Sequence, residues 1–384
     1  MTRVLIVTVE PPWPPSHGGQ LRTARVAEMM RRYVDVEVAY PDEGLATGQT
    51  PAHCHPMPWR PPSRIRTRAT LLPHLGGHHV LPMLQSLLTV VRDRRPDVIY
   101  WSHSYLAAWA PSELRSTPSV VEFANVETQR LRTLVASARG LRRAARSAEA
   151  MKASRWEPRV ARSADVCVAL SEQDEFLLAK WGATVVLAPN GVDVFPYQSS
   201  PADGYALAMA SYDYEPNATA ARRLVHEVWP QAVAQHPAAK LVVAGRGSEA
   251  LRREFEAVAG VTVVGTVADV TDVYAGAAVA LAPATTGGGS QLKLTEALSR
   301  GRCVVTTPFG AAGLPGALSG SSGYRVAAMG PEFAEAIVDA LADPAARHIH
   351  EHDAWQRSQA LGWVRTVQPA AEAVCRLAER GVPA

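Results

Sequence analysis

The sequence predicts an α/β protein made of two Rossmann-like domains, each with a parallel sheet, facing each other across a ligand cleft. Three observations predict it. The chain has 384 residues, more than one ordinary hydrophobic core organises. Short apolar, β-branched runs alternate with segments of helical character, as in parallel sheets covered by helices. The alternation halts at Pro189-Asn190-Gly191, a turn signal, and then starts again. The boundaries read as 1–187 for the first domain, 188–360 for the second and 361–384 for a terminal helix.

Arg3-Val-Leu-Ile-Val-Thr-Val9 opens the first domain as a buried strand. A proline-rich loop and Gly18-Gly19 follow, then an amphipathic helix over Gln20–Arg32 and a strand over Val34–Ala39. Residues 41–75, rich in Pro, His and Arg, read as a long surface loop with a helix after it. Strands follow at Asp97–Trp101 and Ser119–Phe123, and the arginine-dense stretch 127–162 reads as helical. Asp165–Leu170 is a strand, Glu172–Lys180 a helix, and Thr184–Leu187 an apolar run before the boundary. In the second domain strand-like runs appear at Tyr205–Met209, Leu241–Ala244, Val261–Val264, Val279–Ala282 and Cys303–Thr307. A helical tail over 353–380 carries Trp355 and Trp363 about two turns apart.

A net charge of +3 does not call for nucleic acid. The four cysteines, Cys54, Cys167, Cys303 and Cys375, form no close-spaced pair, so a reduced, cytoplasmic setting fits. The opening MTRVLIVTVEPPWPP is too short and too soon broken by prolines for a signal peptide. No apolar run approaches the roughly 18 residues of a membrane span. The ten basic residues between Arg130 and Arg162 face only Glu149 and Glu157. They read as a solvated helix face, with weak contact to an anionic membrane surface as the alternative. His53-Cys54-His55, His78-His79 and His348/His350/His352 do not amount to a metal site, and Asp-x-Asp occurs nowhere. No metal or other cofactor is therefore expected.

The stretch TTGGGSQLKLTEALSRG, residues 285–301, carries the strongest chemical signal. Its glycines admit close approach of a ligand. The free N–H groups near Gly289, Ser290 and Gln291 would point at it. Lys293 is one of only four lysines among 39 basic residues. A cation in the first turn of a helix costs about 0.3–1 kcal/mol against the helix dipole, so an anion is expected beside it. Glu296, three residues on, shares its helix face and could accept hydrogen bonds from sugar hydroxyls. A glycine turn with a solvated lysine is the bland alternative. Gly18-Gly19 and Gly245-Arg246-Gly247 also follow strands, but neither completes a dinucleotide fingerprint, and no P-loop is present. Arg246 could reach an anion at the same edge. His103 ends a strand of the first domain, at the edge where such sheets bind ligands. Asn125 and Glu127 lie beyond the next strand at that edge. Trp101, Tyr105 and Phe123 near His103 could form an aromatic acceptor pocket, although core packing is the favoured reading of them.

The chain resembles the GT-B glycosyltransferases, in particular the retaining group 1 branch, glycosyltransferase family 4. In the second half the resemblance rests on Tyr212-Asp-Tyr-Glu-Pro-Asn217, Leu241–Gly247, Val264–Asp269, Gly287–Glu296 and Thr307–Leu314. In the first half it rests on Gly18-Gly19, Asn125-Val-Glu127, Ala169–Asp174 and Asn190–Asp193. It implies a retaining, metal-independent transferase acting on a UDP-, GDP- or TDP-sugar. Lys293 and the amides of Gly288, Gly289, Ser290, Gln291 and Leu292 would hold the diphosphate, with Arg246 assisting. Glu296 would hold the ribose, and the backbone near Val267 would meet the base. His103 would touch the transferred sugar, and Gly18 and Gly19 would lie against the diphosphate or sugar. The acceptor, a small molecule such as a natural product or aminocyclitol, or a polysaccharide, would occupy the first domain near Trp101, Tyr105, Asn125 and Glu127. The terminal helix would cross back to that domain.

Several positions depart from the family pattern. A glutamate usual eight residues before Glu296 is Gly288, and Gln291 stands where one subgroup has arginine. Ser211-Tyr-Asp213 replaces a basic pair, and Ala124 replaces a histidine before Asn125-Val-Glu127. These departures keep open a non-catalytic nucleotide-sugar-binding subunit or another GT-B enzyme, such as a nucleotide-sugar epimerase.

Overall fold

The structure is a computed structural model that describes residues 2–15, 17–42, 53–59, 73–136, 138–286 and 292–380. The chain divides into two compact units, 1–191 with 363–384, and 192–362.

The first unit holds strands β1 (Arg3–Val7), β2 (Asp35–Asp42), β3 (Cys54–Pro58), β4 (Val98–Trp101), β5 (Ser119–Phe123), β6 (Val166–Ala169) and β7 (Val185–Leu187). Their order across the sheet is β3-β2-β1-β4-β5-β6-β7, and every pairing is parallel. Val4 to Val7 are fully buried, as the unbroken apolar run requires of a central parallel strand. Around the sheet lie α1 (Gly18–Met30), α2 (His74–Arg94), α3 (Ser104–Ala107), α4 (Glu127–Ala136), α5 (Gly140–Ser163) and α6 (Glu172–Lys180).

The second unit holds β8 (Tyr205–Met209), β9 (Leu241–Ala244), β10 (Val261–Gly265), β11 (Ala277–Ala282), β12 (Cys303–Thr306) and β13 (Tyr324–Val326). Their order is β10-β9-β8-β11-β12-β13, again all parallel. Its helices are α7 (Glu215–Arg223), α8 (Trp229–Gln235), α9 (Arg252–Phe255), α10 (Thr271–Ala275), α11 (Leu292–Ser299), α12 (Pro308–Ala311), α13 (Pro331–Ala342) and α14 (Pro344–Ser358). One face of this sheet packs Trp229, Phe255 and Phe333, all fully buried. The last helix, α15 (Trp363–Arg380), belongs to the first unit and packs against α1.

Four sequence expectations change. Residues 54–58 form a strand inside the stretch read as loop. Its two prolines are tolerated because β3 is an edge strand. A short edge strand, β13, adds to the second sheet. The 127–162 helix is two helices, α4 and α5. Trp355 and Trp363 lie on different helices, α14 and α15. Between them the 310 turn Gln359–Leu361 and extended Gly362 end the helix, and Leu361 accepts the backbone N–H of Val192 at 2.9 Å.

Candidate functional site

In both sheets the strand laid down first lies inside, so strand order reverses beside it, between β1 and β4 and between β8 and β11. Doubly wound sheets bind ligands at the carboxyl ends of the strands flanking such a reversal. Each unit has a constellation there.

In the second unit, α7 follows β8 and α11 follows β11. Lys293 is the second residue of α11, and its Nζ donates to Asn217 Oδ1 of α7 at 3.0 Å. The contact therefore bridges the helices on either side of the reversal. Asn217 is held in turn, since its Nδ2 donates to the Ser211 carbonyl at 2.8 Å. Lys293 closes a small cavity lined by Ala208, Ala220, Leu281 and Pro283. Burial in that apolar setting pushes its ammonium down to about 8. The lysine thus sits where both the helix dipole and the surroundings disfavour its charge, with a neutral amide as its hydrogen-bond acceptor.

One turn on, burial raises the Glu296 carboxyl above the usual range, opposed by Arg300. Its Oε1 lies 3.7 Å from Arg300 Nε, and the Tyr274 hydroxyl stands 3.4 Å from Oε2. The Arg300 guanidinium rests over the Phe195 and Tyr274 rings, at 4.3 and 5.2 Å from their centroids. Val267 is half-buried in the segment after β10. Glu249 shapes that segment by accepting the Thr266 backbone N–H, which holds its carboxyl below the usual range. Arg246 pairs with Asp213 at 2.9 Å, so the loops after β8 and β9 are tied together. Gly245, at φ +119°, brings these loops close enough that a Cβ would lie 2.1 Å from the Ala210 carbonyl oxygen. Gly288, Gly289, Ser290 and Gln291 lie outside the described residues.

In the first unit, Gly18 and Gly19 open α1 after β1, and His103 caps α3 after β4. Burial lowers the His103 pKa, with nearby carboxylates led by Glu122 opposing it; the imidazole is neutral at pH 7. Its Nδ1 lies 3.0 Å from Ser102 Oγ. Beneath it, Arg22 of α1 makes a bidentate pair with Glu122 at 2.8 and 2.9 Å. Arg22 also donates to Asn190 Oδ1 and to the carbonyls of Ala188 and Pro189. Both partners are about 4% exposed, and the Tyr100 hydroxyl donates to the same carboxylate.

Among the residues expected near the acceptor, Tyr105 stacks at a tilt on His103, centroids 4.9 Å apart. Glu127 opens α4 and pairs with Arg130, while Asn125 is half-buried beyond β5. Trp101 is 2% exposed and packs within the core of the unit. Sequence reasoning assigned no role to Asn217 as an individual side chain, nor to Tyr274, Arg22, Glu122 or Glu157. A carboxylate inside the apolar strand 119–123 was the one visible signal among them.

The histidine groups have other partners. His55 Nε2 lies 3.1 Å from Glu37, His348 Nε2 lies 2.9 Å from the Ser200 carbonyl, and His352 packs edge-on against Tyr197. Among the described residues no three His, Cys, Asp or Glu side chains gather as metal ligands. No described helix is long and apolar enough to cross a membrane.

Two Rossmann-like units in one chain, each with a constellation at its strand reversal, define a two-domain, doubly wound α/β protein. Two family models narrow the class: "Glycosyltransferase Family 4" matches residues 18–194 and "Glycosyl transferases group 1" matches 205–343. The chain belongs to the group 1, family 4 glycosyltransferases of GT-B fold. Solved structures agree on the fold. A sucrose-phosphate synthase from Thermosynechococcus elongatus is 17% identical with a TM-score of 0.75, covering 99% of this chain and 100% of that one. WaaG, a glycosyltransferase involved in lipopolysaccharide biosynthesis, is 16% identical, TM-score 0.67, covering 97% and 99%. Anabaena HepE, solved with UDP-glucose, is 16% identical, TM-score 0.66, covering 98% and 100%. No curated protein matches the chain at a significant level.

Proposed function

We propose that the protein is a retaining, metal-independent glycosyltransferase that moves a sugar from a nucleoside-diphosphate sugar, with UDP, GDP or TDP as the carrier, to a small-molecule or glycan acceptor. The observation that carries this reading is Lys293, a half-buried ammonium at a helix start whose hydrogen bond goes to a neutral amide. A bound diphosphate supplies the negative charge that both the helix dipole and the desolvated ammonium favour.

As the bond to the sugar breaks, charge grows on the leaving phosphate oxygen. A fixed donor aimed at that oxygen stabilises the transition state more than the ground state. The Lys293 ammonium and the first amides of α11 fill this role. The leaving oxygen then takes the proton of the acceptor nucleophile, which attacks from the same face, so the anomeric configuration is kept. Glu296 accepts the ribose hydroxyls, and the segment after β10 near Val267 meets the base. Arg246, tied to Asp213, sets the loop beside the diphosphate. His103, neutral, hydrogen-bonds the sugar, with Gly18 and Gly19 against the diphosphate or sugar.

Incubation with each donor in buffer tests this by NMR of the released sugar. Slow release in the donor's own anomeric form, unchanged by EDTA, is expected. Release of the opposite anomer contradicts retention, and loss of turnover in EDTA contradicts metal independence.

A further inference from the structure

We propose that Asn217 is a positioning residue for the Lys293 ammonium: it holds the charge at the strand reversal of the second unit and, being neutral, leaves that charge for a diphosphate. The inference rests on the glycosyltransferase reading and adds a second side chain to its donor site.

The orientation of the amide is fixed from both ends. An ammonium only donates, and a backbone carbonyl only accepts. The atom facing Lys293 Nζ at 3.0 Å is therefore Oδ1, and the atom facing the Ser211 carbonyl at 2.8 Å is Nδ2. The Asn217 backbone N–H adds a further tie, donating to the Tyr214 carbonyl at 2.9 Å. The side chain is thus locked to the loop after β8, while Lys293 reaches it from α11. Both line the same small cavity.

The residue type runs against its local setting. Asn217 is the third residue of α7, where the helix dipole favours an acidic side chain. Aspartate, nearly identical in shape, would suit the helix and pair with the lysine. It would also neutralise the ammonium and repel a diphosphate. The amide keeps the hydrogen bond without either effect.

The charged groups around the pair are engaged elsewhere or exposed. Asp213, in the same loop, pairs with Arg246. Glu215 of α7 is exposed, and Arg222 and Arg223 of that helix pair with Glu254 and Glu227. On α11, Glu296 faces Arg300 and Tyr274. Tyr212, the other titratable group of the cavity wall, donates its hydroxyl to the Ala208 carbonyl at 2.7 Å. Burial sets the Lys293 pKa, and among the described residues no carboxylate pairs with its ammonium.

The test uses the full chain with Asn217→Asp and Asn217→Ala. UDP, GDP and TDP are titrated into each by calorimetry across the pH range in which lysine loses its proton. The four lysines are also labelled by 13C reductive methylation, which reads the Lys293 midpoint by NMR without nucleotide; Lys293→Met assigns its resonance. Asn217→Asp is expected to bind nucleotide about tenfold or more weakly at pH 7, with the Lys293 midpoint raised by about one pH unit or more. Asn217→Ala, which removes the acceptor, is expected to weaken binding and lower the midpoint. An acidic residue suits this place in α7, so Asn217→Asp is expected to melt no lower than wild type, and Asn217→Ala reads the proposal should it fail to fold. Asn217→Asp that binds nucleotide as well as wild type overturns the proposal. So do midpoints that neither variant moves, which would make Asn217 structural. Failure of the wild type to bind any of the three nucleotides instead sinks the glycosyltransferase reading, while the midpoints still decide whether Asn217 governs the charge of Lys293.

Discussion

Replacing Lys293 by methionine keeps most of the side chain's length and removes its charge. In the fold its ammonium titrates near 8, below its ordinary 10.5, so between those values the unfolded chain binds more protons and stability rises with pH. Below about 8 the buried charge is a constant penalty. Lys293→Met is therefore expected to melt no lower than wild type at pH 7, by calorimetric scanning. Its affinity for a nucleoside diphosphate should fall about 10- to 100-fold, as loss of a charged hydrogen bond of about 1.5–3 kcal/mol dictates. In the wild type that affinity should weaken as pH rises through about 8. A variant that melts lower yet binds as well would make Lys293 structural. The residue was legible in TTGGGSQLKLTEALSRG because a scarce lysine stood beside glycines. Its partner Asn217 was not, since 76 residues separate them and only the pairing of β8 with β11 brings their helices together.

At the scale of elements, the central strands were legible because runs such as Val4–Val7 and Ala277–Ala282 are wholly buried and need no polar face. The edge strands were not. Cys54-His-Pro-Met-Pro58 carries two prolines, and Tyr324-Arg-Val326 is three residues long and largely exposed. The Arg22–Glu122 pair fastens α1 to β5 and to residues 188–190. Glu122→Gln leaves a buried guanidinium without its counter-charge, an expected loss of about 3–5 kcal/mol in urea unfolding. Gly245→Ala strains the loop after β9 at a positive φ and drives a Cβ into the Ala210 carbonyl oxygen. A loss of about 1–3 kcal/mol is expected in the same assay; unchanged midpoints would contradict either account.

Across the whole molecule the chain leaves the first unit at Gly191 and returns to it at Trp363. The two meet within that unit: a Cβ on Gly191 would lie 2.6 Å from the Trp363 ring and 2.7 Å from its Cα. Gly191→Val should therefore loosen α15, seen as faster proteolytic cleavage near residue 363, whereas wild-type cleavage rates would show that the approach is not needed. Both parallel sheets were predictable from the alternation of runs; the split of the helical tail at Gly362 was not, because Trp355 and Trp363 fit one helical face as well as two helices. The central claim is that the helix start at Lys293 holds a nucleoside diphosphate. Calorimetric titration of UDP, GDP, TDP and ADP into wild type, Lys293→Met and Glu296→Gln tests it most directly. The account predicts that one of UDP, GDP or TDP binds the wild type and that both changes weaken it. Binding of none of them, or binding that neither change touches, would contradict it.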